Sequence, residues 1–395
     1  IRRTRARAAV MRATPWLASN FVSRDLARRD LGLDALRGLM ILGMVVVNHP
    51  PPALPVYSAL AHVAWHGWTL ADVIFPGFLF AVGASIRLTL CDPRGEPLPA
   101  DMAIYLKIAR RFALLMVLNF LLVNFPYYFA GAGGVDFTGT LALIAWCSSI
   151  VALIVLWTRR SVQIALLAAG LLVQWAALAL LPVPGHGAGL LTPEANAARY
   201  LDELLFTFGA PRSSGSVLLM GLPTLGAVTT TLLGALTAPL VQQRDDVGAP
   251  WAGLLGGLAL MLLGQAWQQL LPINMTLWTG SYSVFMAGIA LALFALLHWI
   301  AGHAARGRWL RPLQVAGANA LFLYVFAQCL QRLLVYGRIR DDSGSTVRLR
   351  HFIHDQYFAP ALTGEFGSLV FALLFYCVCY LASLVLYRRR VFLKL

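Results

Sequence analysis

Histidine, asparagine and aspartate side chains are concentrated between residues 48 and 76, in the stretch NHPPPALPVYSALAHVAWHGWTLADVIFP. It contains three of the chain's eight histidines, at positions 49, 62 and 66. A neutral imidazole with a pKa near 6.5 can take up and release protons at physiological pH, and His62 is therefore predicted to act as a general base. Asp72 is a candidate to fix the tautomer of that imidazole, or to cap the following helix from its first turn. Asn48 is a candidate hydrogen-bond donor beside it.

A metal site is the alternative use of the same histidines. His62 and His66 are four residues apart and would share one face if AHVAWHG were helical, which is the spacing of a two-histidine half-site. No cysteine or carboxylate completes such a site in the nearby sequence, and the five cysteines lie mostly in apolar segments without metal-site spacing. We therefore expect no metal.

A second polar group, PINMTLWTG at 272–280, lies between two apolar runs. It adds Asn274 and Trp278 to the Trp65 and His66 of the first stretch, and these four are the candidate substrate-binding residues. Asn319 lies inside an apolar run, where an amide must find a partner. Packing between helices is the alternative role for Asn274 and Asn319.

Arginines form a third group, at the opposite ends of the same apolar runs. Arg37 stands three residues after Asp34, near the start of the first run, so an ion pair is one interpretation. A guanidinium also binds phosphate well, and an anion-binding collar is the other interpretation. Its members would be Arg37, Arg87, Arg110 and Arg111. Simple anchoring of the helix ends by positive charge explains the last three equally well.

Composition identifies the environment of these groups. The 395 residues are 59% hydrophobic and 12% charged, with a mean hydropathy of +0.71. Soluble domains carry about twice that charged fraction, so the chain is predicted to be a polytopic membrane protein. The net charge of +14 does not indicate nucleic-acid binding, because the arginines fall in small clusters between apolar runs.

The expected fold is an all-α bundle of about ten transmembrane helices, since one span takes about 20 apolar residues. The predicted spans are 32–50, 69–90, 103–125, 138–158, 162–182, 216–240, 251–271, 281–301, 313–335 and 365–387. Residues 31–390 thus form one membrane domain, between a basic tail at 1–30 with eight arginines and a short tail at 391–395.

Lysine and arginine mark the cytoplasmic side of a membrane protein. They cluster in one set of connections and are absent from 49–68, 126–137 and 272–280; the loop at 336–364, with four arginines, is the exception. Both termini are therefore predicted to be cytoplasmic and the histidine-rich stretch to face outward. We expect a multi-pass protein of the cell (inner) membrane.

Six blocks of sequence, in order, resemble the transmembrane acetyltransferase family typified by heparan-alpha-glucosaminide N-acetyltransferase. They are LDALRGLMILGMVVVN (33–48), HVAWHGWTLADVIFPGFLFAVGASI (62–86), FTGTLALIAWCSSI (137–150), GLPTLGAVTTTLLG (221–234), LPINMTLWTGSYSVFMAG (271–288) and GANALFLYVF (317–326). The resemblance implies transfer of an acetyl group from cytoplasmic acetyl-CoA to an amino sugar across the membrane. It also implies that Asn48 and His62 form the catalytic centre, and that the protein is a homodimer.

Three features depart from the family. The prolines after His49 replace a shorter, glycine-rich link, and His66 stands where the animal enzyme has asparagine. The large lumenal domain of that enzyme is also absent from this sequence, which leaves the acceptor open among glucosamine-containing polysaccharides, cell-wall fragments and lipid-linked sugars. If the resemblance holds, the collar arginines bind CoA and a tunnel open to the cytoplasm ends near His62.

A multi-pass solute transporter without acyl transfer is the alternative, since buried polar groups among many spans also suit translocation. Two observations favour the enzyme. The polar groups lie in outward loops and at a cytoplasmic arginine collar, and the sequence shows no internal repeat of the kind that forms a transport site at the midplane.

Overall fold

The computed structural model describes residues 30–51, 54–92, 95–99, 101–125, 137–206, 221–242, 249–302, 307–340, 345–358 and 364–392. The predicted basic tail lies outside the described residues except for Asp30, as do residues 393–395 of the predicted C-terminal tail.

Helices account for most of the described chain, in agreement with the predicted all-α fold. They are α1 (Leu31–Asn48), α2 (Leu70–Leu90), α3 (Met102–Asn124), α4 (Thr140–Trp157), α5 (Arg160–Leu180), α6 (Ala197–Phe206), α7 (Leu222–Thr237), α8 (Pro239–Gln242), α9 (Ala249–Trp267), α10 (Gly280–Gly302), α11 (Arg311–Ala318), α12 (Ala320–Tyr336), α13 (Leu349–Ile353) and α14 (Gly364–Arg388). Two short antiparallel strands, β1 (Arg338–Arg340) and β2 (Thr346–Arg348), form a hairpin between α12 and α13.

All ten predicted spans coincide with helices in the described part of the chain, and residues 216–220 of the sixth span lie outside it. Among the described residues, eight helical segments are long and apolar enough to cross a membrane, and nine if a bent pair counts as one span. The tenth, α3, is 23 residues long and carries Lys107, Arg110 and Arg111 in its first half. The chain is a multi-pass membrane protein, and its apolar runs predict where the helices lie.

The ninth predicted span is not one straight helix. Residues 308–318 and 320–336 are bent by 68° relative to each other, with Asn319 at the break. Asn319 is buried, and its amide nitrogen donates to the backbone oxygen of Val391, beyond the end of α14. A bend leaves backbone groups without helical partners, which is tolerated at membrane depth only inside the protein. Hydropathy gave no sign of the break because the two segments together are apolar enough for one span.

Glycines bring three pairs of antiparallel helices into backbone contact. On α1 and α11, a Cβ at Gly38 would collide with the Leu313 carbonyl and one at Gly317 with the Asp34 carbonyl. The α2–α7 and α9–α10 pairs meet in the same way, at Gly83 and Gly234 and at Gly257 and Gly288. Small residues allow this approach, and dispersion contacts hold helices together where lipid removes the hydrophobic driving force.

The innermost helices are α2 and α7, whereas α5 and α9 expose most of their apolar side chains and form the rim. Helix α1 lies between α2 and α11. Because α1 and α2 run antiparallel, the end of α1 and the start of α2 lie at one end of the bundle, here called the histidine end. Their other ends, with Arg37 and Arg87, form the arginine end.

Replacing Gly38 with alanine should destabilise the protein, because the added methyl group meets a backbone carbonyl that cannot move cheaply. We expect a loss of about 1–3 kcal/mol in stability, read as a lower melting temperature in detergent. Gly302→Ala is the control, since nothing lies within 4 Å of a Cβ at that position. Equal melting temperatures for the two variants would show that the α1–α11 contact is not close.

Candidate functional site

His62 and Asp72 form a hydrogen-bonded pair at the histidine end. The His62 Nδ1 lies 2.7 Å from Asp72 Oδ1, with 45% of the His62 side chain exposed and Asp72 fully buried. A carboxylate accepts hydrogen bonds, so the neutral imidazole must carry its proton on Nδ1. This leaves the lone pair of Nε2 available to an outside group, as a general base requires.

Asp72 is held on all sides. Its Oδ2 accepts from the backbone nitrogen of Thr69 at 2.9 Å and from that of Val63 at 3.3 Å. Thr69 is the N-cap of α2, and the Asp72 side chain both completes the capping box and contacts His62. The Tyr282 hydroxyl donates to the Asp72 carbonyl at 2.7 Å and ties α10 to this turn.

The segment that carries His62 and His66 is not helical, so the two-histidine helical face does not form. The loop at 272–279 holds it instead: Asn274 Nδ2 donates to the Trp65 carbonyl at 2.7 Å, and Gly67 N donates to the Ile273 carbonyl at 2.8 Å. Gly67 has a φ of 103°, which favours glycine. The described residues contain no group of three histidine, cysteine or carboxylate side chains that could hold a metal.

Asn274 and Trp278 are both buried, unlike His62 and His66. The backbone of Trp278 has a φ of 48°, a strained conformation for a bulky residue. Its indole nitrogen donates to Thr230 Oγ1 at 3.0 Å, and its carbonyl accepts from Gln174 at 2.7 Å. These bonds fix the strained turn, so both residues position the loop rather than offer surface to a ligand.

Sequence reasoning passed over Gln174 and Tyr282. The Gln174 amide donates to the carbonyls of Leu222, Leu277 and Trp278 and so links α5 to the loop under the histidines. It is fully buried in an otherwise apolar run. A glutamine in the middle of a span was the available signal, because intramembrane polar groups need partners. The signal for Tyr282 was weaker: its hydroxyl is a polar group in the first turn of α10.

His49 and the prolines after it are structural. The buried His49 ring stacks on Phe375 with centroids 4.5 Å apart, and its Nδ1 lies 2.8 Å from the Val45 carbonyl. Burial lowers the pKa of His49 to about 4, so it is neutral at physiological pH. Arg350 donates to the Pro50 carbonyl and Ser368 to that of Pro55 at 2.6 Å. The lead-in to the histidines is thus fixed to α13 and α14.

Asn48 is the last residue of α1, and its side chain is exposed. Gly43 faces Ile74 and Gly77 faces Met40 across the antiparallel pair, so Asn48 comes to the level of Thr69, the N-cap of α2. Among the described residues no hydrogen bond joins Asn48 to His62 or Asp72. The structure therefore brings Asn48 to the same end of the bundle without fixing its amide.

At the arginine end, the four predicted collar residues do not all share the same partners. Arg37 bonds to Asp34 and to Ser85 on α2, and it lies near enough to Arg111 for their charges to repel. The buried Arg111 Nε has no hydrogen-bond partner in the described part of the chain. Arg87 instead donates hydrogen bonds to the Gly95 carbonyl at 2.6 Å and to the Gln163 side chain at 3.5 Å. Arg110 is half-buried beside Arg111 on α3.

These features define a class: an all-α, multi-pass membrane protein with a histidine–aspartate pair at one end and arginines at the other. No protein-family profile matches the chain. Heparan-alpha-glucosaminide N-acetyltransferase of Mus musculus is 26% identical over 366 residues, which cover 78% of this chain and 54% of that protein. The Homo sapiens protein of the same name is 25% identical over 363 residues, or 76% and 53% of the two chains.

The chain is therefore a distant relative of the heparan-alpha-glucosaminide N-acetyltransferases, as the six sequence blocks indicated. It spans about half the length of these curated relatives.

Removing the Asn274 side chain should loosen the loop beneath the histidines. The Asn274→Ala variant leaves the Trp65 carbonyl and the Leu277 amide without their partner, at an expected cost of about 1–3 kcal/mol. Asn48→Ala is the matched control, with an expected change within about 0.5 kcal/mol because that side chain is exposed. Thermal unfolding of both variants makes the comparison, and an equal loss in the two would contradict the positioning role of Asn274.

Proposed function

We propose that the protein transfers an acetyl group from acetyl-CoA to the amine of a glucosamine-type sugar, with His62 as the general base. The His62–Asp72 pair carries this proposal. A fully buried carboxylate holds one ring nitrogen, and the exposed ring keeps the other free to take a proton. The distant relationship to N-acetyltransferases supports the reaction class.

The proposed reaction uses both ring nitrogens of His62. The sugar amine attacks the thioester carbonyl carbon, a C–N bond forms, and the carbonyl π electrons move onto oxygen. His62 Nε2 takes the proton of the amine, and the Asp72 carboxylate stabilises the imidazolium that results. When the oxyanion collapses, the C–S bond breaks and the proton passes from His62 to the sulfur. The products are the N-acetyl sugar and free CoA.

An acetyl-imidazole intermediate uses the same atoms in two steps, with His62 Nε2 attacking the thioester first. Asn48, at the level of the α2 N-terminus, is the proposed contact for the acceptor or for the carbonyl oxygen. We assign Trp65, Asn274 and Trp278 to positioning the loop, with His66 as the exposed candidate for a contact to substrate.

We place the CoA phosphates near Arg37 and Arg111. Two arginines that repel each other, one with an unpartnered buried Nε, favour an anion between them. Along α2, Asp72 and Ser85, the partner of Arg37, are 13 residues apart, a rise of about 20 Å. A donor bound at the arginine end therefore has to extend most of the way along the bundle to reach His62.

His62→Ala should reduce acetyl-CoA-dependent acetylation of glucosamine about 10²–10⁴-fold, since it removes the base. Release of CoA thiol from purified protein in nanodiscs measures the reaction. His186→Ala is the control, because His186 is an exposed histidine in the loop after α5, and no hydrogen bond joins it to Asp72 among the described residues. Unchanged activity in His62→Ala would remove His62 from the mechanism. If the wild-type protein moves solutes without consuming acetyl-CoA, it is a transporter.

Acetyl-CoA should raise the melting temperature of the wild-type protein, with a stabilisation of about 2.7 kcal/mol at a hundred times the dissociation constant. Arg111→Ala should reduce this shift. Arg159→Ala, at an exposed arginine beyond the same end of the bundle, should leave it intact. If acetyl-CoA raised the melting temperature of Arg111→Ala as much as that of the wild-type protein, Arg111 would not bind CoA and would only anchor the helix end.

A further inference from the structure

The loop that carries His62 also carries His66. The Nδ1 of His62 faces a hydrogen-bond acceptor, whereas the Nδ1 of His66 faces a hydrogen-bond donor. Asn274 Nδ2 lies 3.4 Å from His66 Nδ1. An amide NH₂ group only donates hydrogen bonds, so Nδ1 of a neutral His66 must accept. The ring proton then sits on Nε2, the reverse of the arrangement in His62.

Two backbone partners fix which way the Asn274 amide points. Its Oδ1 accepts from the Leu277 amide at 2.8 Å, and its Nδ2 donates to the Trp65 carbonyl at 2.7 Å. Rotating the amide by 180° would place an oxygen against the Trp65 carbonyl and an NH₂ group against the Leu277 N–H. Both good bonds would be lost, so the donor must face His66.

His66 is poised to stay neutral and to keep its Nε2–H directed away from Asn274. The side chain is exposed, whereas its Nδ1 is engaged with a buried residue. Partial burial lowers the pKa of His66, which favours the neutral ring at physiological pH. Trp65 lies edge-on to the ring, with centroids 6.0 Å apart.

We propose that His66 is a catalytic hydrogen-bond donor whose Nε2–H stabilises the oxyanion formed on the thioester carbonyl, with Asn274 as the residue that sets its tautomer. The site thus offers one imidazole that takes a proton and one that donates a hydrogen bond. This assignment rests on the proposed acetyl transfer, which needs a donor where negative charge develops on oxygen. It leaves Asn48 to orient the acceptor.

The tautomers can be measured without any activity. In protein labelled with ¹⁵N-histidine, the chemical shifts of the ring nitrogens distinguish Nδ1–H from Nε2–H. His62→Gln and His66→Gln identify the two rings by loss of signal. We expect Nδ1–H for His62 and Nε2–H for His66 at neutral pH. An Nδ1–H or a doubly protonated His66 would overturn the proposal, even if acetyl transfer is confirmed.

Kinetics then test the donor. His66→Phe keeps a flat ring but removes the donor, and we expect kcat to fall about 10²-fold with KM for both substrates nearly unchanged. His66→Gln places an amide N–H near the former Nε2, and it should retain kcat within about tenfold of wild type. Equal losses in Phe and Gln variants, or wild-type kcat in His66→Phe, would refute the donor role. Absence of acetyl transfer in the wild-type protein would refute the proposed function and leave the tautomers as measured.

Discussion

The buried carboxylate of Asp72 is the constraint on which the histidine end is built. An ionised carboxylate without water costs several kcal/mol unless hydrogen bonds replace its hydration. Here the imidazole of His62 and the backbone amides of Val63 and Thr69 supply them, and Thr69 Oγ1 lies 3.1 Å from the same carboxylate. Because these donors come from the loop before α2, satisfying Asp72 determines the path of that loop, and with it the direction in which His62 faces.

The same loop is held from three other parts of the chain. The Trp65 indole donates to the Leu191 carbonyl at 2.6 Å, Asn274 holds the Trp65 carbonyl, and Tyr282 holds the first turn of α2. The prolines that lead into it are tied to α13 and α14 through Arg350 and Ser368. Preorganisation of this kind keeps reactive groups in one geometry, so that little energy is spent on ordering them when a substrate binds.

The sequence predicted the helices well and their contacts poorly, for physical reasons. Twenty apolar residues are a sufficient signal of a span, and the N-cap at Thr69 and the pairing of Asp72 with a histidine follow from short separations along the chain. Asn274 and His66 are 208 positions apart, so neither periodicity nor spacing reveals that one sets the tautomer of the other. The bend at Asn319 could not be predicted, because a single amide hardly changes hydropathy. Arg87 does not join the predicted collar, because its side chain bonds to a loop carbonyl and to a glutamine on α5.

The contact between α1 and α11 has a consequence for how the protein is made. Gly38 meets Leu313, and Asp34 meets Gly317, yet some 275 residues separate the two sides of this interface in the chain. At about 5–20 residues per second of synthesis, α1 spends about 15–55 s in the membrane before α11 exists. During that time Ser85 on α2 is already in place to bond to Arg37 of the charged pair Asp34–Arg37. Helix α1 is thus made long before one of the helices that covers it, so the α1–α2 hairpin stays in the membrane with that face of α1 uncovered until α11 is made.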